Sequence, residues 1–92
     1  MLTYLFYTFA AAAAIAAVSY AFVECLNYLS LREEAKKLYE RAAKAAINNI
    51  ANSDGAFHVN ASIFDSDGDK LGDIEFTADD VDVKSGYIYD IA

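Results

Sequence analysis

Hydrophobic and polar positions divide the chain into three stretches. From Met1 to Val23 there is no charge, no proline and no glycine, in the run "MLTYLFYTFAAAAAIAAVSYAFV". As a helix rising about 1.5 Å per residue it would reach about 35 Å, enough to cross a hydrocarbon core of roughly 30 Å. From Asn27 to Asn52 the apolar spacing is also helical. Leu31, Ala35, Leu38, Ala42, Ala45 and Asn49 advance by alternating steps of four and three as one stripe ending in a polar residue. Glu33–Lys37 and Glu40–Lys44 are i, i+4 pairs in the favourable order. The next glycine is Gly55, so the spacing predicts one unbroken rod over about residues 2–52, stopped at "NNIANSDG".

Beyond it the period changes to two. In "FHVNASIF", Phe57, Val59, Ala61 and Ile63 fall on one face and His58, Asn60 and Ser62 on the other. "DSDGDKLGD" reads as a turn, "IEFTA" places Ile74 and Phe76 together, and "VDV" and "YIYDIA" supply further strands. So small a sheet rarely sustains a core alone. The stripe of Leu31, Ala35, Leu38 and Ala42 is therefore the expected partner of its apolar face. The predicted fold class is α+β: a long N-terminal helix, apolar then amphipathic, with a small antiparallel β meander on its C-terminal half. The units would be residues 1–26 (hydrophobic helix), 27–53 (its amphipathic continuation) and 54–92 (acidic β domain).

Charge sharpens this division. The net charge of −7 over 92 residues resides mainly in the last third, where acidic residues crowd from Asp65 to Asp90 against Lys70 and Lys84. Such a surface repels nucleic acid. Within the first run, Ala10 to Ala17 are small enough for close backbone approach between helices. Tyr4, Tyr7, Ala10, Ala13, Ala14, Ala17 and Val18 are accordingly the expected subunit-packing positions. A cleaved signal peptide is the alternative, but the run lacks a basic start. Arg32, Lys36, Lys37, Arg41 and Lys44 follow the run and nothing basic precedes it, which places the C-terminus in the cytoplasm unless a basic leader preceded Met1.

Candidate chemistry is sparse. One histidine and one cysteine offer no nucleophile–base pair, and there is no Gly-rich phosphate loop, so neither an enzyme nor a bound cofactor is expected. Asp65, Asp67 and Asp69, with Asp73 nearby, imitate the start of a calcium loop. Lys70 and Phe76 stand where that pattern needs Gly and Glu, which favours a solvated turn over a metal site. Asn60-Ala61-Ser62 fits the N-glycosylation acceptor pattern.

A rod of this length and texture followed by a small β domain resembles the type IV pilin superfamily. "MLTYLFYTFA" stands where a mature pilin begins, and "YLSLREEAKKLYERAAKAA" is similar to the post-membrane helix of pilin-like proteins of tight-adherence systems. Leu5 replaces the glutamate of bacterial pilins and Phe22 their helix-breaking proline, so the resemblance is to archaeal-type pilins with unbroken core helices. It implies a leader peptidase and assembly machinery, membrane insertion before assembly, and a homo-oligomeric helical filament at the cell surface. The competing expectation is a single-span accessory subunit of a membrane complex.

Overall fold

The computed structural model describes residues 18–92. Its elements run β1 (Val18–Leu26), α1 (Tyr28–Leu38), β2 (Lys44–Ser53), β3 (Ala56–Phe64), β4 (Lys70–Val81) and β5 (Ile88–Asp90). The strands form one sheet in the order β1-β4-β3-β2-β5, in which β1 pairs parallel to β4 and every other pairing is antiparallel.

This arrangement overturns the long rod and the sheet packed on it. Val18 opens a strand rather than a helical packing stripe, and the end of the uncharged run, Val18 to Val23, lies in β1. No helix among the described residues is long and apolar enough to cross a membrane. The expected continuous helix through this run, and the transmembrane and pilin architecture built on it, are contradicted by β1, which takes the run's last six residues. "VSYAFVECL" is rich in β-branched and aromatic residues, which fit a pleated, half-buried surface better than a crowded helix. Tyr4, Tyr7, Ala10, Ala13, Ala14 and Ala17 lie outside the described residues.

The helix starts where a local signal places it. Asn27 is extended, and its side chain accepts the Ser30 N–H at 3.0 Å while Ser30 Oγ accepts the Asn27 N–H at 2.9 Å. This reciprocal cap satisfies donors that the first turn would otherwise leave open. At the other end Tyr39 turns extended (φ −132°, ψ 99°), and Lys36 Nζ reaches the Ala42 carbonyl at 3.1 Å. Asn27→Ala should therefore lower stability by about 1 kcal/mol, and Asn27→Asp should recover most of it. Urea unfolding of the three proteins measures this directly, and an alanine variant as stable as the parent would deny Asn27 a capping role.

The predicted stripe splits accordingly. Leu31 and Ala35 are buried on α1, Ala42 is buried in the loop beyond it, Ala45 is buried on β2, and Leu38 is 41% exposed. The ion pair that forms on the helix is Lys37–Glu34 at 3.3 Å, while Lys44 belongs to β2.

The stretch expected to end the rod instead turns a hairpin. Asp54 (φ 55°) and Gly55 (φ 80°) both adopt positive φ between the paired residues Ser53 and Ala56. Two such residues in a two-residue loop match the right-handed twist of the flanking strands, and Asp-Gly is a favoured pair for it. Lys44–Ser53 therefore pairs antiparallel with β3, with an irregularity between Ile47 and Asn49. β3 and β4 follow the alternation visible in the sequence.

The register sorts side chains by face. Ala21 lies beside Phe76 and Phe76 beside Val59; Ile74 lies beside Ala61 and Ala61 beside Ile47. These residues, with Leu26, Leu31, Ala35, Ile63 and Ile91, form one buried cluster covered by α1. The opposite face carries no helix among the described residues.

Candidate functional site: the uncovered sheet face and the β1 edge

Alternation places three cross-strand rows on the uncovered face. They read Val18–Asp73–Ser62–Ala46, Tyr20–Glu75–Asn60–Asn49 and Phe22–Thr77–His58–Ala51 across β1, β4, β3 and β2. The centre is polar and internally bonded. Asn48 Nδ2 donates to Asn60 Oδ1 at 2.7 Å and to Ser62 Oγ at 2.8 Å. Asn60 Nδ2 donates to Glu75 Oε2 at 2.7 Å, and Ser62 Oγ donates to Asp73 Oδ1 at 2.8 Å. Lys70 Nζ lies 3.1 Å from the same Asp73 oxygen. Among the described residues no buried side-chain polar atom lacks a partner. The network locks strand register, since each of the four Asn and Ser hydrogen bonds spans neighbouring strands, while the Lys70–Asp73 pair lies within β4.

It does not bring His58 to Ser62. His58 and Ser62 share a face of β3 four residues apart, about 13 Å along a strand, well beyond hydrogen-bond reach. Cys25 is a half-buried free thiol at the end of β1, with Asn27 Nδ2 3.9 Å from its sulfur. The Asn60 nitrogen that a glycan would occupy is engaged with Glu75 on a central strand.

The acidic residues singled out as weak metal candidates are dispersed by the fold. Asp65, 3% exposed, closes the β3–β4 connection: its Oδ1 accepts the N–H of Asp67 and of Asp69, both at 2.9 Å, and its Oδ2 takes Arg41 Nη2 at 3.0 Å. Asp73 is drawn instead into the sheet network, while Asp67 and Asp69 are exposed. Among the described residues no three His, Cys, Asp or Glu side chains gather as metal ligands.

The two sheet edges differ. β5 is short, and the outward carbonyl of Asp90 is occupied by the Tyr28 hydroxyl at 2.8 Å. β1 is long and, among the described residues, pairs only with β4. Its Leu26 carbonyl accepts from Asp82 N–H on the β4 side. By alternation the N–H and C=O groups of Ser19, Ala21 and Val23 therefore point away from the sheet. The next outward carbonyl, that of Cys25, is taken by Ser30 Oγ at 2.8 Å. Beside this open stretch stand Tyr20 and Phe22, 72% and 78% exposed. Sequence reasoning absorbed both into the uncharged run, although the alternation of Ser19, Ala21 and Val23 with Tyr20, Phe22 and Glu24 carries the signal of an edge strand.

No family model matches the chain, and no curated protein or solved structure matches it significantly.

Proposed function

We propose that this chain is a non-enzymatic structural subunit that associates with copies of itself through the free edge of β1. The observation that carries the reading is the contrast between edge strands: β5 spans three residues and its Asp90 carbonyl is taken by Tyr28, whereas the nine-residue β1 leaves backbone groups unpaired among the described residues, beside two exposed aromatics. Natural sheets usually blunt an edge with charge, proline or a covering element, because an open edge is a template for another strand. β1 has no proline, and Glu24 is its one charged residue. The self-bonded polar face suits a scaffold, because its carboxylates are committed to neighbouring strands.

Sedimentation velocity of the full chain in mild non-ionic detergent tests the reading. The parent should exceed monomer mass in a concentration-dependent way. Tyr20→Lys/Phe22→Lys, which places charge on the edge at two exposed positions, should weaken association at least about tenfold, roughly 1.4 kcal/mol. A parent that stays monomeric, or a double variant that associates as well as the parent, would remove the β1 edge from this role.

A further inference from the structure

Resting on that reading, the geometry points to a specific partner and register: a second copy pairs β1 with β1, antiparallel, about a two-fold axis at Ala21. The free backbone groups decide the register. Those of Ser19, Ala21 and Val23 point outward, Cys25 O is taken by Ser30 Oγ, and Leu26 O faces β4. With Ala21 opposite its own copy, Ser19 lies opposite the second copy's Val23, and every free group in that stretch finds a partner, on the order of six hydrogen bonds. Shifting the axis to Phe22 pairs Ser19 with Cys25, whose carbonyl is already used. Moving it to Tyr20 leaves Val23 without a partner inside β1.

Side chains agree with this choice. Opposed residues of an antiparallel pair lie on the same face, so the covered faces of the two copies join and the uncovered faces join. Tyr20 then meets the second copy's Phe22 in a non-hydrogen-bonded pair, where side chains approach most closely, and the symmetric contact repeats it. Four rings, two from each copy and largely exposed in the single chain, thereby form a ladder across the join. Glu24 falls opposite Val18, so no like charges oppose one another. Charge also favours a second copy's β1 over its acidic surfaces. At a net charge of −7 two copies repel in general, and Val18–Leu26 carries only Glu24. The two-fold is isologous and closed, joining two five-stranded sheets into one continuous sheet.

Disulfide mapping in the full chain with Cys25→Ser tests the register. Tyr20→Cys and Phe22→Cys proteins are oxidised separately and as an equimolar mixture. Directly opposed non-hydrogen-bonded residues have Cα atoms about 4.5 Å apart, within disulfide reach, while diagonal neighbours lie about 7–8 Å apart, beyond it. The mixture should give at least about fivefold more cross-linked dimer than either protein alone. Both substitutions fall at exposed positions, and an unchanged thermal transition confirms that each variant is folded. Strongest cross-linking in Tyr20→Cys alone, or in Phe22→Cys alone, would overturn the Ala21 axis and leave β1-edge assembly standing. Absence of cross-linking in all three samples would overturn the register, and with a monomeric parent in sedimentation it would overturn the assembly reading as well.

Discussion

Leu31→Ala should destabilise the protein by about 2–5 kcal/mol, while Leu38→Ala should cost less than about 1 kcal/mol. Both leucines sit on α1, seven residues apart, and a continuous amphipathic helix would give them equivalent places on one stripe. The fold separates them. Leu31 is fully buried in the cluster with Leu26, Ala35 and Phe76, so truncating it leaves a cavity in a dense interior. Leu38 ends the helix one residue before Tyr39 turns extended and remains 41% exposed, so its truncation removes little buried surface. Urea unfolding of both variants, compared at unchanged m-value, separates the two architectures. Equal losses would restore the single stripe and the long rod.

How far the fold could be read from the chain follows from where the information lies. β3 and β4 are legible because their alternation is local: Val59, Ala61 and Ile63 against His58, Asn60 and Ser62 admit one assignment. Lys44–Ser53 is not legible in this way. "KAAINNIANS" is alanine-rich, and its apolar residues fit steps of three and four as well as steps of two. The hairpin partner decides, and its marker, Asp54-Gly55, also belongs to the vocabulary of helix termini. The Asn27–Ser30 cap is a start signal inside a pattern that reads as an unbroken rod, because neither residue breaks a helix as Gly or Pro would.

β1 is the hardest element to read. Its pairing among the described residues, from Val18–Asp73 to Leu26–Val81, joins residues more than fifty positions apart, so the local alternation marks a strand without naming its partner. The candidate site inherits this division. The polar face of β3 is visible in the sequence, whereas Glu75 and Asp73 become its partners only through the β3–β4 register, and Tyr20 and Phe22 become an edge only through β1–β4. A long uncharged run is normally the strongest signal in a chain. Here its last residues are apolar because one side of β1 enters the core and the other is left at an open edge.

Asp65→Ala should cost about 2–3 kcal/mol, more than Asp65→Asn at about 1 kcal/mol and Arg41→Ala at about 0.5–1 kcal/mol. The order follows from what each oxygen does. Oδ1 holds the Asp67 and Asp69 N–H groups and thereby shapes the loop between β3 and β4; alanine removes that acceptor and asparagine retains it. Oδ2 faces the Arg41 guanidinium, whose side chain is 71% exposed, so water supports the cation when the pair is broken. The carboxylate is the buried member, with 4% of its side chain exposed, and it keeps both backbone donors when arginine is lost. Its role as a turn organiser therefore outweighs its role in an ion pair. The two oxygens are already committed to three donors, so recruiting them to a cation would mean surrendering the turn. Unfolding free energies of the three variants, with the Asp65→Asn/Arg41→Ala double variant closing a cycle, measure the partition. An Arg41→Ala loss as large as that of Asp65→Ala would reverse it, making the ion pair rather than the backbone contacts the reason for an aspartate at this buried position.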